Sequence, residues 1–236
     1  MNIFPPSSTH EILATSFLFN GLDADGLTAV SQSAKIRKVK AGEFFFYEGE
    51  PAEMFFVMIS GTARLLQTTP EGKQVIIQLC TPGHGMAIVA ALSNFLYPAS
   101  AEAIKDCTAY TWDKAILRQL MNDYPIIAIN GMELLAKRFH KVQDRYRELV
   151  TERVEQRVAR TLLRLVEQKG ITTEDGIKID VPLTRQDIAE MAGTTLFTVS
   201  RILSKWEQDG LLNTARQSVE ITVPQQIIAI AEHSEE

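Results

Sequence analysis

The sequence is short of cysteine, of long apolar runs and of positive charge, and each shortage excludes a class of protein. Only Cys80 and Cys107 occur in its 236 residues. Two thiols cannot make a disulfide framework, which favours a reducing, cytoplasmic setting. They also fall short of the four cysteine ligands that an iron–sulfur cluster takes as a rule. No stretch approaches the ~18 consecutive apolar residues of a membrane-spanning helix, so no membrane role is expected. The first residues lack the basic, apolar, small-residue order of a secretory signal. Histidine is sparse too: His10, His84, His140 and His233. No metal-spaced His/Cys cluster, P-loop, nucleophile elbow or convincing acid–base pair is present, so an enzyme is not expected. The net charge of −5 argues mildly against a nucleic-acid binder. It excludes none, because DNA responds to a local basic face.

At 45% hydrophobic residues the chain can build a core without covalent staples. Its length suits two modest domains. Residues 11–33 read as a helical entry, with Ile12, Leu13, Phe17, Leu18, Leu22, Leu27 and Val30 apolar. The period then changes. The runs Phe44–Tyr47, Met54–Ile59, Thr62–Leu66 and Val75–Leu79 alternate with Gly42, Gly49, Gly61, Gly72 and Gly83, the pattern of an antiparallel sandwich or barrel. Pro70-Glu71-Gly72-Lys73 is a hairpin turn, since proline pre-sets φ and glycine accepts positive φ. Ala109–Trp112 completes the β-unit.

From Asp113 onward the pattern is helical, and Pro125 suits a first turn. Met132, Leu135, Phe139, Val142, Tyr146 and Leu149 follow at spacings of 3, 4, 3, 4 and 3, which keeps one apolar stripe on one face. Lys137, Arg138, Lys141, Asp144, Arg145, Arg147 and Glu148 flank it. We read the stripe as a homodimer seam along a helix of roughly 36 Å. A helix packed on its own β-domain would also be amphipathic. Thr151 is expected to cap the next helix, whose apolar face is Val154, Val158, Leu162, Leu163 and Val166. The charged segment Glu148–Glu152 becomes the hinge. Two domains follow: residues 1–150, with the dimer helix at 125–149, and residues 151–236.

The densest signal lies between Leu183 and Leu212. Residues 184–193 read as a short helix ending at glycine. Thr184 is its N-cap, and Asp187 is the acidic partner of a capping box. Gly193 fits the tight turn of a helix-turn-helix. Thr194 to Trp206 form the second helix, burying Val199, Ile202, Leu203 and Trp206. That leaves Thr195, Leu196, Thr198, Arg201 and Lys205 outward. An outward arginine can bond bidentately to guanine in the major groove, and hydroxyls at a helix start suit phosphate oxygens. Asp209-Gly210-Leu211-Leu212 then leads into a hairpin wing ending at Val219–Val223.

On these residues the chain resembles the Crp/Fnr family of bacterial transcription regulators. The resemblance spans essentially the whole sequence. It is carried by Thr184-Arg185-Gln186-Asp187-Ile188-Ala189, by Val199-Ser200-Arg201-Ile202-Leu203, and by the glycines of Glu48-Gly49-Glu50 and Ile59-Ser60-Gly61. It implies an α+β fold: an N-terminal antiparallel β-roll of the cyclic-nucleotide-binding type, a long dimerisation helix and a C-terminal winged helix-turn-helix. It also implies a palindromic site in double-stranded DNA with half-sites ~34 Å apart, and RNA polymerase as a partner if the protein activates. Arg185 and Gln186 then resemble phosphate contacts and Ser200 and Arg201 base readers. Thr184, Thr194, Thr195, Leu196, Phe197 and Lys205 complete the DNA-facing set. Many members carry, at the position of Phe197, a glutamate that accepts from cytosine, and some carry arginine at the position of Leu196. Phe197 and Leu196 can meet thymine methyls instead, so an operator unlike the common family site is expected.

The sensing side departs further. Cyclic nucleotide binding in this family uses Gly-Glu-Leu and a later Arg-Ser or Arg-Thr. Here the stretches read Gly85-Met86-Ala87 and Tyr97-Pro98-Ala99-Ser100, without the glutamate or the arginine. A phosphodiester buried without a fixed cation is costly, which argues against cyclic AMP. Val142 and Gln143 stand where hydroxyl residues would meet adenine. The expected effector pocket is His84, Gly85, Met86, Ala87, Tyr97, Pro98, Val142 and Gln143. Haem held by His84 stays open, as does thiol oxidation at Cys80 or Cys107, which needs an exposed, acidified thiol. What remains is an unidentified small molecule, or a regulator with no ligand that is controlled by its own abundance. The competing reading is a ligand-binding or protein-interaction module whose winged helix does not read DNA.

Overall fold

The computed structural model describes residues 9–70, 72, 74–88 and 95–232. The chain divides into two compact units, residues 1–68 with 77–141 and residues 69–76 with 142–236. Among the described residues no helix is long and apolar enough to cross a membrane.

The first unit opens with helix α1 (Thr9–Thr15), a 3-10 turn (Phe17–Phe19) and α2 (Ala24–Ser33). Strands β1 (Lys35–Val39), β2 (Phe44–Phe46), β3 (Met54–Ser60), β4 (Ala63–Thr68), β5 (Gln74–Cys80), β6 (Gly85–Met86), β7 (Ser100–Ala103) and β8 (Cys107–Asp113) follow, then α3 (Lys114–Asp123). They form two sheets, ordered β1-β8-β3-β6 and β2-β7-β4-β5. The pairings of β1 and β3 with β8, of β3 with β6, and of β2 and β4 with β7 are all antiparallel. Each run expected to be extended is a strand. Of the expected turn, Glu71 and Lys73 lie outside the described residues, while Gly72 has φ +79° and donates from N to Thr69 O. His233 also lies outside them.

Strand β3 shows why its sequence is apolar throughout rather than alternating. Its side chains point to opposite faces in turn, and both faces are covered. Phe56 and Met58 enter one core with Phe45, Phe46, Cys80 and Cys107. Phe55 and Val57 enter a second core with Leu13, Phe19, Trp112 and Leu117. Strand β8 divides likewise, Ala109 to the first and Tyr110 and Trp112 to the second. Trp112 donates Nε1–H to Val30 O at 3.0 Å, which satisfies the indole where it is buried. Gly61 links β3 and β4 with φ +84°, and a Cβ there would collide with Asp106 O. Only glycine fits.

Helix α4 (Pro125–Thr151) begins at its proline, as expected, and runs 27 residues. Thr151 does not cap the next helix. It ends α4, donating Oγ1–H to Arg147 O, and α5 (Val154–Lys169) starts after Arg153, whose N–H is taken by Gln156 Oε1.

In the second unit α5 is followed by β9 (Gly170–Thr172), β10 (Ile177–Ile179), α6 (Arg185–Ala192), α7 (Leu196–Gln208), β11 (Leu212–Ala215), β12 (Ser218–Ile221) and α8 (Pro224–Glu232). The expected two-stranded wing is part of a four-stranded sheet, β11-β12-β10-β9. Val158, Leu162 and Leu165 of α5, Ile188 of α6, Val199 and Leu203 of α7 and Ile227 of α8 are buried.

Candidate nucleic-acid interface and sensor strands

Helix α6 is fixed at both ends by local chemistry. Thr184 Oγ1 accepts from Asp187 N at 3.1 Å, and Asp187 Oδ2 accepts from Thr184 N at 2.8 Å, closing the capping box. At the other end Gly193 has φ +62° and ψ +48°, a left-handed cap that glycine adopts without a side-chain penalty. Arg157, on α5, then fastens the turn. Its Nε donates to Ala192 O at 3.1 Å, Nη2 to Gly193 O at 3.3 Å and Nη1 to Glu152 O at 3.0 Å. A guanidinium on these terminal carbonyls satisfies acceptors that α6 leaves open and suits the negative end of its dipole.

Helix α7 starts two residues later than the sequence suggests. Thr195 is its N-cap, accepting from Thr198 N at 3.2 Å, so Thr194 and Thr195 precede the helix. The expected buried face is present: Val199, Ile202, Leu203 and Trp206. Trp206 donates Nε1–H to Glu155 Oε1 at 3.0 Å. Thr195, Leu196, Phe197, Arg201 and Lys205 are exposed, whereas Thr194, Thr198 and Ser200 are partly covered. Phe197 keeps 77% of its surface, an unusual position for phenylalanine.

Arg185 sits at the start of α6 and donates Nη2–H to Thr214 Oγ1 at 3.2 Å. Thr214, on β11, donates N–H and Oγ1–H to Glu207 Oε1 at 2.9 and 3.0 Å. Those two bonds, chiefly the backbone one, hold the Glu207 carboxyl below its ordinary range, and Arg185 helps. Neither Thr214 nor Glu207 stands out in the sequence. Gln186 is exposed and donates Nε2–H to Glu190 Oε1 at 2.8 Å.

On α4 the expected seam residues Met132, Leu135, Phe139, Val142, Tyr146 and Leu149 are all exposed, between 48% and 70%. An apolar stripe this long left open on one helix calls for a cover.

Of the expected effector residues of the first unit, Met86 and Tyr97 share one core, with Ala87 packed against it, while Pro98 lies on the surface. Gly85 pairs with Val57 and Met86 with Phe56. Met86 is fully buried in the β-roll core, and Tyr97 joins it there, its ring stacked on Phe46 at 4.1 Å between centroids. The Tyr97 hydroxyl donates to Met54 O and accepts from Met54 N, both at 3.1 Å. Burial pushes this phenol up, against those backbone bonds. His84 is partly buried, its Nδ1 3.0 Å from Thr81 Oγ1. Ala87 holds φ +64°, a strained value for a residue with a Cβ. Pro98 is exposed, and its carbonyl accepts from Gln67 Nε2. Val142 and Gln143 are exposed on α4 and belong to the second unit.

The first unit does contain a cation near β6, one that the sequence places only on the flank of the seam. Arg138 donates Nη2–H to Gly85 O at 2.9 Å, and burial lowers its pKa. Cys80 lies close by in the core. Burial pushes its thiol up to about 12, which the Arg138 charge only partly offsets. Cys107 is raised by burial too and donates Sγ–H to Lys105 O. Neither has the exposed, acidified character that thiol sensing needs.

An antiparallel roll of the cyclic-nucleotide-binding type and a winged helix-turn-helix, on one chain, define a class of one-component transcription regulator. Residues 36–124 match the cyclic nucleotide-binding domain, and residues 156–230 match the Crp-like helix-turn-helix domain. The chain is 25% identical over 212 residues to the CRP-like cAMP-activated global transcriptional regulator of Mycobacterium tuberculosis, covering 90% of this chain and 95% of that one. It is 26% identical over 224 residues to the nitrogen fixation regulation protein FixK of Bradyrhizobium diazoefficiens, covering 93% and 91%. The solved structure of FixK2 from Bradyrhizobium japonicum shares the fold at a TM-score of 0.75 and 22% identity, covering 86% of this chain and 99% of that one. The chain belongs to the Crp/Fnr family of transcription regulators and carries its helix-turn-helix DNA-binding domain.

Proposed function

We propose that this regulator works as a cytoplasmic homodimer without catalytic activity. It joins along the exposed stripe of α4 and reads a palindromic site in double-stranded DNA through α7. The observation that carries this reading is the pairing of two features: a capped, arginine-braced helix-turn-helix, and six apolar residues left open at heptad spacing on a 27-residue helix. Arg201 and Ser200 read base edges, Leu196 and Phe197 meet thymine methyls, and Thr184, Arg185, Gln186, Thr194, Thr195 and Lys205 hold phosphates. Residues 1–150 form the sensing domain and residues 151–236 the DNA-binding domain. When the regulator activates, RNA polymerase is the partner it recruits.

We assign its signal to a ligand other than cyclic AMP. Met86 and Tyr97 are packed into the core, and the stretches around β6 and Pro98 lack the family's glutamate and arginine. One of the relatives above is named as cAMP-activated, so adding cyclic AMP to this protein is an informative control. No binding heat and no change in DNA affinity are expected.

In vitro selection of random duplexes by the full chain tests the core of the reading. An inverted repeat with half-sites about one helical turn apart, bound by two chains in native mass spectrometry, is the expected result. Uniform background would sink it and leave the winged helix as a protein-contact module, for which the exposed Leu196–Phe197 pair is suited. Replacing Leu135 and Phe139 with glutamate should release a 26.4 kDa monomer.

A further inference from the structure

Helix α3 begins at a surface cleft of about 720 Å³ in the first unit, lined among others by Glu53, Asp113, Lys114, Arg118, Asn122 and Asp123. Glu53 directly precedes β3, and its carbonyl accepts from Lys114 N at 3.1 Å. That bond holds the entry to β3 against the start of α3. Asp113 Oδ1 accepts from Ile116 N at 2.9 Å, capping the helix. Two N–H groups of the first turn are thus taken, which leaves little there for an incoming anion.

An apolar strip leads away from the cleft. Next to Glu53, Ala52 donates N–H to Phe95 O at 3.4 Å, Pro51 bridges to Leu96, and Tyr97 donates N–H to Glu50 O at 2.8 Å. These contacts lay residues 95–97 alongside residues 50–52. Tyr97 turns into the core, whereas Phe95 is 71% exposed and Leu96 54%. Tyr47, whose carbonyl accepts from Glu50 N at 3.3 Å, is 51% exposed, and its ring stacks on Phe44 at 4.6 Å between centroids. Large apolar side chains gathered on a surface and bordered by polar ones mark a contact site. A ring already held by stacking loses little rotamer freedom when a partner covers it. The charge around it is one-sided. Glu48 and Glu50 on the strip, with Glu53, Asp113 and Asp123 at the cleft, face only Lys114 and Arg118. Five carboxylates against two cations disfavour nucleic acid and anionic lipid and favour a cationic partner.

We propose that this surface docks a basic segment of a protein partner, one in which lysine or arginine alternates with leucine or an aromatic residue. Its apolar side chains cover Tyr47, Phe95 and Leu96, and its cations enter the cleft beside Glu53, Asp113 and Asp123. Arginine suits the cleft best, because its planar fork meets a carboxylate with two parallel bonds. The site lies wholly within the first unit, so it depends on neither the reading of DNA nor the seam of α4.

The test uses the full chain and two fluorescein-labelled synthetic peptides of equal length, one repeating Lys-Leu-Arg-Trp and the other Glu-Leu-Glu-Trp. Fluorescence anisotropy should show saturable binding of the basic peptide that weakens as KCl rises, and no binding of the acidic one. Glu53→Lys and Leu96→Ser should each weaken the basic peptide about tenfold, the scale of a residue central to an interface. Both positions are exposed, so neither variant should move the melting temperature, which keeps a folding defect apart from a lost contact. Equal binding of the two peptides overturns the proposal, and so does basic-peptide binding that both variants retain. If sedimentation shows Leu96→Ser splitting a larger assembly of the wild type, a second copy is the occupant and the proposal falls. Retention of the wild type but not Leu96→Ser on vesicles of anionic lipid would overturn it too, in favour of a membrane.

Discussion

Arg164 presents a single nitrogen, Nη1, to both carboxylate oxygens of Glu148, 2.8 Å from each. Glu148 lies three residues before the end of α4 and Arg164 is on α5, so the pair ties the last turn of one helix to the next. Arg145 shares that carboxylate. Burial lowers the Arg145 pKa first, the Arg164 charge lowers it further, and Glu148 opposes both. Glu148→Gln would therefore leave two crowded cations without their anion. The expected loss is about 1.5–3 kcal/mol, taken from the range for hydrogen bonds to charged groups because Arg164 remains partly exposed. Urea unfolding should show a lower midpoint at constant slope. A Glu148→Leu, Arg164→Met double variant should recover part of the loss, since an apolar pair has no charge to desolvate. A Glu148→Gln midpoint equal to the wild type would show the pair to be inert.

Arg157 bears on function more than on stability. It holds the carbonyls of Ala192 and Gly193, the two residues that end α6 and open the turn. Arg157→Ala removes three hydrogen bonds to backbone oxygens and should cost about 1–2 kcal/mol of stability. The turn also sets the angle between α6 and α7, so the selected duplex should bind at least tenfold more weakly even where the protein stays folded. Arg157→Lys, which offers a point charge rather than a planar fork, should rescue little of that affinity. Equal DNA affinity in Arg157→Ala would show that the turn needs no brace.

The parts of the molecule legible in the sequence are those where one local rule suffices. Thr184, Asp187 and Gly193 announce a capped helix and its left-handed end because capping acts within four residues. The stripe from Met132 to Leu149 is visible because helical periodicity is geometric. Strands β1 and β7 were hidden for a physical reason. Lys35-Ile36-Arg37-Lys38 is exposed at all four positions, and Ser100-Ala101-Glu102-Ala103 buries only small side chains, so neither shows an apolar alternation. Thr151 fits a cap by type, yet it is the last residue of the long helix, and the next one starts only after Arg153. The partners of Arg185, Arg138 and Arg157 lie 29, 53 and 35 residues away in sequence, and no spacing rule foretells them.

Cys80 sets an alkaline limit on the first unit. Its thiol is pushed from 9.0 to about 12 by burial in the β-roll core. The folded protein therefore holds this proton over a pH range in which the unfolded chain releases it. Stability from this group is complete below pH 9 and declines as pH rises toward 12. Cys80→Ala should flatten that decline while lowering stability at neutral pH through the cavity it leaves. Iodoacetamide at pH 8 should label neither Cys80 nor Cys107 in the native protein and both after unfolding. Rapid native labelling at Cys80 would return thiol chemistry to the sensing problem.

Phe197 offers the sharpest test of how this regulator chooses its site. The ring is 77% exposed at the start of α7, where it touches little of the protein, so Phe197→Glu should change stability by less than about 0.5 kcal/mol. Its effect belongs to recognition. A phenylalanine offers only apolar contact and matches a thymine methyl, whereas a glutamate accepts from the cytosine amino group. Duplex selection by Phe197→Glu should therefore yield a half-site with a C·G pair where the wild type selects T·A, with the other positions unchanged. Discrimination at that position should be about 1–3 kcal/mol, or roughly 5- to 150-fold in relative affinity. Arg201→Ala in the same assay should relax a different base pair, which sets the register of α7 on the half-site. If the two variants relax the same pair, or if Phe197→Glu keeps the wild-type preference, then Phe197 faces the backbone or a protein partner rather than a base.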